Sequence, residues 1–321
     1  MLEIKNLTTE FKQKKGTTKA VNNVSFHVNQ GEILAIVGES GSGKSVTSLS
    51  IMGLTNGKVS GEILFKGEDL SKKSRKEMQK IRGDQISMIF QEPMTSLNPV
   101  KRIKDQLMET IMAHMDLSKE DALKRAIEML GLVGIPSPEK RAYDFPHQMS
   151  GGMRQRVMIA MALSCHPELL IADEPTTALD VTIQAQIMEL LYGLREKLNM
   201  AVMLITHDLG VVAESADRVI VMYCGKIVEE ALVDDLFTEP KHPYTRGLLN
   251  SIPRIDDDQE RLYMIEGMVP NPLNMPKGCS FSDRCDQCMA ICKEKMPALV
   301  SENGRAVRCF LYHNEEEAVE A

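Results

Sequence analysis

The sequence predicts an α/β fold with a mixed, mainly parallel core sheet, interrupted by a helical insert and closed by a small cysteine-rich C-terminal extension. Three observations predict it. Short apolar runs bounded by turn residues alternate with stretches of three- and four-residue apolar spacing, the pattern of strands joined by helical crossovers. A glycine-rich segment, Gly38-Glu39-Ser40-Gly41-Ser42-Gly43-Lys44-Ser45, stands directly between one such strand and a helical stretch. Of seven cysteines, Cys279, Cys285, Cys288, Cys292 and Cys309 crowd together near the end of the chain.

Each element follows from its local pattern. The runs Leu2 to Leu7, Val24 to Val28, Ile33 to Val37, Ile63 to Phe65 and Ile86 to Phe90 read as strands. From Ile103 to about Leu130 the period changes to that of a helix, with Leu107, Ile111, Ala122, Leu123, Ala126, Ile127 and Leu130 in step. The Gly- and Pro-containing stretch from Gly131 to Pro146 breaks it, and a second helix is expected from Met153 to about Ser164, with Ser150 as its N-cap. Strand runs return at Leu169 to Ala172, Ala201 to Ile205 and Val219 to Met222, around a helical Ile183 to Leu198. The helical insert therefore spans about 92–163. Near 240–258 the prolines Pro240, Pro243 and Pro253 and the acidic Asp256-Asp257-Asp258 end the periodicity, which divides the chain into a domain at 1–240 and an extension at 241–321. Glu315-Glu316-Glu317 reads as a solvated terminus.

Composition narrows the function. With 321 residues, 43% of them hydrophobic and 26% charged, the chain is long enough for a core and is not mainly disordered. The net charge of −7 leaves no broad basic surface, so no nucleic-acid partner is expected. Lys72 to Lys80, though basic, has no interleaved aromatics and reads as a solvated helix face. No run approaches about 18 apolar residues and the amino terminus has no apolar block, so the chain is expected neither to cross a membrane nor to be exported across one.

Gly38 to Ser45 matches G-x-x-x-x-G-K-[ST] in the context that this motif demands. Gly38, Gly41 and Gly43, with Ser40 and Ser42 between them, let the backbone turn its N–H groups toward phosphate oxygens, and the following helix adds its positive end. Lys44 would reach the β- and γ-phosphates, and the Ser45 hydroxyl would ligate Mg²⁺. Leu169 to Glu174 is an apolar strand ending in two carboxylates. Because neighbouring strand residues face opposite sides, Asp173 can hold Mg²⁺ while Glu174 serves as general base toward the attacking water. Ser150-Gly151-Gly152 opens a helix with free N–H groups and so offers a second anion site; an ordinary helix start is the alternative, and taken alone the commoner, reading.

In order, Gly38 to Ser45, Gln91, Ser150-Gly151-Gly152, Leu169 to Glu174, Ala178-Leu179-Asp180 and His207 resemble the ATP-binding subunits of ABC transporters, over residues 1 to about 235. The resemblance implies a P-loop ABC-type nucleotide-binding domain that uses ATP and Mg²⁺. In that family Ser150-Gly151-Gly152 and Asp180 would complete the site of a second homologous ATPase subunit, in a heterodimer or a homodimer. Gln91 would contact Mg²⁺ or the lytic water and sense a membrane subunit, and His207 would hydrogen-bond the γ-phosphate. Phe11 stands where the family often stacks an aromatic on adenine; an ordinary core phenylalanine is the alternative reading. Met153 replaces the glutamine usual after Ser-Gly-Gly, which spares the backbone donors and removes a side-chain contact.

The tail is similar to the C-terminal extension of oligopeptide and dipeptide ABC importers, on His242 to Leu249, Pro270-Asn271-Pro272, Gly278 to Phe281, Arg284-Cys285, Cys292 and Cys309. This resemblance implies peptide uptake at the cytoplasmic face of the cell membrane, with two permease subunits and an extracytoplasmic peptide-binding protein; relatives carry nickel or other solutes. Relatives can also hold a [4Fe-4S] cluster on Cys279, Cys285, Cys292 and Cys309. Thiolates suit zinc as well, Cys288 adds a C-x2-C spacing, and bare thiols are the third reading. Cys165 and Cys224 stand apart and read as small core residues. Two rivals use the same phosphate loop: a soluble ABC-type ATPase acting on nucleic acid or ribosomes, and a small-molecule kinase. The second leaves Ser150 to Gly152 and His207 without a role.

Overall fold

The computed structural model describes residues 1–14, 16–91, 96–177, 180–252 and 264–313. Ala178, Leu179, Pro253, Asp256 to Asp258 and Glu315 to Glu317 lie outside the described residues. Strands β1 to β6 are Leu2–Gln13, Gly16–Val28, Ile33–Val37, Lys58–Phe65, Glu68–Asp69 and Ile86–Ile89. Strands β7 to β12 are Leu169–Asp173, Ala201–Ile205, Arg218–Tyr223, Lys226–Leu232, Val300–Glu302 and Arg305–Val307. Two compact units emerge: 1–28, 33–71 and 206–321 form the first, and 29–32 with 72–205 the second.

The first unit holds a four-stranded antiparallel sheet in the order β2-β1-β4-β5, which the sequence reading does not contain. On its long strand β1, Leu2, Ile4, Leu7 and Thr9 are buried while the residues between them are mostly exposed or half-buried. The same unit holds the order β11-β12-β10-β9-β3, with β3 parallel to β9 and the remaining pairs antiparallel. All five residues of β3 are buried, as a parallel strand covered on both faces requires. Two-residue turns with positive φ explain the antiparallel pairs. Lys66-Gly67, Cys224-Gly225 and Asn303-Gly304 each join neighbouring strands at φ values between 46° and 84°.

The second unit holds β8-β7-β6, all parallel. Helices Ile103–His114, Lys119–Leu132 and Gly151–Leu163 lie between β6 and β7, with a short helix at Pro138–Arg141. Leu107, Ile111, Ala122, Ala126 and Leu130 are fully buried, so the apolar period read from the sequence is the packed face. Side-chain caps start the helices: Ser118 accepts from Asp121 N, Ser150 from Met153 N and Asp180 from Ile183 N. The basic stretch forms helix Arg75–Ile81 with a Ser74–Glu77 capping box. Among the described residues no helix is long and apolar enough to cross a membrane.

Candidate functional site: a phosphate loop and a strand-end carboxylate pair

In the first unit the glycine-rich loop leaves β3 and enters helix Lys44–Ile51, with Gly43 at its N-cap in the left-handed region. Two glycines are sterically obligatory. A Cβ on Gly38, at φ 149°, would lie 2.2 Å from Met222 O, and one on Gly43 would lie 2.4 Å from Ala20 O. The loop is further pinned by Gly225 N donating to Ser42 O at 2.8 Å. Lys44 is buried, and its ammonium donates to Gly38 O at 2.7 Å and to Glu39 O at 3.1 Å. The loop thus curls around its own cation, the charge that an anionic ligand would meet. Ser42 is buried, Ser45 is half-buried, and Ser40 and Gly41 are exposed. Also in this unit, Phe11 lies half-buried on β1 and His207 is exposed just after Thr206. The next residue, Asp208, caps helix Leu209–Ser215.

In the second unit β7 ends at Asp173, which is 4% exposed, and passes to a half-buried Glu174. Glu174 has φ 47°, a left-handed backbone unusual for a non-glycine residue, and its N–H donates to Ile205 O at 2.8 Å. The turn aims its carboxylate: Oε2 accepts from Gln91 Nε2 and from Thr177 Oγ1, each at 2.9 Å. The structure thus brings Gln91 and Glu174 together although 83 positions separate them. An acid held by two neutral donors and kept partly open to solvent is suited to orient water and accept its proton.

Ser150 and Gly151 are exposed at the start of helix Gly151–Leu163. Gly152 has a packing reason as well, since a Cβ there would lie 2.9 Å from Ile183 Cγ2 on helix Val181–Leu198. Asp180 caps that second helix. Gln155 escapes the sequence reading: it is buried, and its Nε2 donates to Pro175 O beside Glu174.

The C-terminal cysteines are all free thiols, with Cys292 and Cys309 buried and Cys279, Cys285 and Cys288 half-buried. Burial pushes the Cys279 thiol up to about 12 and Cys309 to about 11, and neighbouring cysteines add to both shifts. Backbones close in too, Cys279 N donating to Cys292 O at 2.7 Å. Among the described residues no three His, Cys, Asp or Glu side chains are placed to hold a metal ion. The expected iron–sulfur or zinc site is therefore not assembled as a ligand set among the described residues. Cys165 is buried, as expected, whereas Cys224 is half-buried in the β9–β10 turn.

The family profile described as "ABC transporter" matches residues 21–177, and "Oligopeptide/dipeptide transporter, C-terminal region" matches 228–292. The oligopeptide transport ATP-binding protein AppD of Bacillus subtilis is 56% identical over 320 residues, 98% of each chain. The chain belongs to the ATP-binding subunits of peptide ABC transporters. The dipeptide transport ATP-binding protein DppD of Bacillus subtilis is 52% identical over 97% of this chain and 94% of its own. OppD of Salmonella typhimurium is 50% identical over 97% and 93%. Among solved structures, the ATP-binding cassette MJ0796, a dimer in a post-hydrolysis state bound to ADP and Pi, superposes with a TM-score of 0.66 at 32% identity. That match covers 73% of this chain and 99% of the cassette. This peptide-transporter subunit is accordingly an ATPase coupled to transport.

Proposed function

We propose that the subunit binds Mg-ATP on Gly38 to Ser45 and hydrolyses it with Glu174 as general base, driving uptake of dipeptides or oligopeptides. Lys44 neutralises charge on the β- and γ-phosphates. Ser45, Asp173 and Gln91 hold Mg²⁺ or its water, His207 contacts the γ-phosphoryl group, and Phe11 packs on the adenine. Ser150, Gly151, Gly152 and Asp180 serve the nucleotide of a second ATPase subunit, a related chain or a second copy. Two permease subunits carry the peptide through the membrane at whose cytoplasmic face this chain sits, and an extracytoplasmic binding protein delivers it. Residues 1–240 are read as the nucleotide-binding domain, with the helical subdomain at about 92–163, and 241–321 as the extension.

The observation that carries this reading is the Gln91–Glu174 hydrogen bond at the end of β7, which joins the residue read here as base to the one read as contacting metal or water. Cys279, Cys285, Cys292 and Cys309 are read as the thiolates that a [4Fe-4S] cluster would take, with zinc as the alternative; the donor chemistry supports this. Such a group would brace the extension rather than take part in hydrolysis. One experiment tests partner and metal together: purification of the assembly from membranes without oxygen, with identification of every subunit and assay of iron and zinc. Permeases and about four irons per chain are expected. Nucleic acid in place of permeases would overturn the transport assignment, and a metal-free chain would overturn the cluster.

A further inference from the structure

The phosphate loop carries one acidic residue, Glu39, and its carboxylate is held by Arg284, 245 positions away. Arg284 Nη1 donates to Glu39 Oε2 at 2.8 Å and Nη2 to Oε1 at 3.1 Å, a two-pronged pair whose arginine side chain is only 6% exposed. The guanidinium is itself fixed. Its Nε donates to Glu266 O at 3.1 Å, Nη2 to Ile265 O at 3.3 Å and Nη1 to Tyr223 Oη at 3.3 Å, and the Tyr223 and Phe281 rings lie 5.9 Å from its centre.

The loop backbone is gripped at the same residue. Glu39 N donates to Tyr244 Oη at 2.8 Å, and Tyr244 is fully buried against Tyr223 and Phe281, with ring centroids 4.6 and 5.4 Å apart. Burial drives the Tyr244 phenol far above its ordinary value, so it stays neutral. The third polar group of Glu39, its carbonyl, accepts from Lys44 Nζ at 3.1 Å. Glu39 therefore joins two residues of the C-terminal extension to the lysine that would meet the nucleotide.

We propose that Arg284 and Tyr244 are positioning residues for ATP binding: by fixing Glu39, the extension sets the curl of the phosphate loop and the place of the Lys44 ammonium. This rests on the ATP-binding reading of that loop. It makes ATP affinity depend on a segment that no phosphate-loop motif includes, with Arg284 directly preceding the cysteine Cys285.

The test uses the full-length chain for equilibrium binding of Mg-ATP, and the assembled transporter for kcat and KM. Tyr244→Phe and Arg284→Gln are each expected to raise Kd and KM for ATP about five- to twenty-fold, with kcat within about two-fold of wild type. Arg284→Lys should recover part of the loss. Adding Arg284→Gln to Glu39→Gln should weaken binding no further, because both act through one contact. Unchanged Kd and KM in both Tyr244→Phe and Arg284→Gln would overturn the proposal, however much their melting temperatures fall. Should Arg284→Gln fail to fold, Tyr244→Phe, which deletes one oxygen, decides alone. Lys44→Ala separates the two levels. Lost binding in that variant beside unaffected Arg284 and Tyr244 variants sinks only this inference, whereas unaltered binding in Lys44→Ala sinks the phosphate-loop reading beneath it.

Discussion

Acidification should loosen the C-terminal extension through one buried imidazole. His242 is 1% exposed and caps helix Pro243–Asn250 by accepting Tyr244 N on Nδ1 at 3.0 Å. Its backbone N–H donates to the buried Glu229 carboxylate at 2.8 Å. Burial, with the Arg308 and Arg246 cations adding to it, pulls the ring down from 6.5 to about 3. Protonation would also place a hydrogen on the very nitrogen that serves as acceptor.

A folded-state value below the unfolded one gives stability that is present above pH 6.5 and is lost as the pH falls toward 3. At 1.36 kcal/mol per pH unit the whole gap is worth about 5 kcal/mol, of which about 2 kcal/mol disappears between pH 7.5 and pH 5. Urea unfolding of the wild type and of His242→Asn, which keeps a capping acceptor, should therefore diverge. The wild type should lose about 2 kcal/mol more than the variant between those two pH values. Equal pH dependence in the two proteins would refute the reasoning, as would a His242 ring that titrates near pH 6.5 by NMR in the folded chain.

Two further outcomes follow from the site. Glu174→Gln should bind Mg-ATP with unaltered affinity while the assembled transporter hydrolyses it about 10²- to 10⁴-fold more slowly, as single-turnover measurements would show; a near wild-type rate would remove Glu174 as base. Gly38→Ala, forced into a left-handed backbone with its methyl against Met222 O, should weaken ATP binding more than about ten-fold in a calorimetric titration, and normal binding would mean that the loop relaxes at no cost.

Some of the fold is legible in the sequence because local pattern and tertiary demand coincide. The runs read for β3 and β8 end where the strands end, since five fully buried apolar residues between turn residues leave little choice of state. Ser150 is legible as a cap for the same local reason. The antiparallel parts are harder. The turns at Lys66-Gly67 and Cys224-Gly225 put a non-glycine residue at positive φ, which neither lysine nor cysteine advertises. Asn303-Gly304 does advertise a hairpin, but the strands beside it are three residues each and carry little pattern of their own.

The site divides in the same way. Gly38 to Ser45 and the Asp173-Glu174 pair are contiguous, so they can be read as candidates from spacing alone. The hold of Gln91 on Glu174, the reach of Gln155 to Pro175 and the grip of Arg284 on Glu39 join distant positions, and only the folded chain discloses them. The cysteine spacing suggests a metal, yet the described thiols leave none of the geometry a single ion would need.

The central claim, that each ATP is hydrolysed between two subunits, is tested most directly by mapping what the γ-phosphate touches. ATP carrying a photoreactive group on that phosphate can be trapped in the assembled transporter, and the labelled peptides identified by mass spectrometry. Labelling of the Ser150 to Gly152 segment should disappear when the partner's phosphate loop is disabled, and survive when this chain's own loop is disabled by Lys44→Ala. Labelling that instead vanishes with Lys44→Ala and ignores the partner's loop would mean that one copy holds a complete site, and would contradict the account.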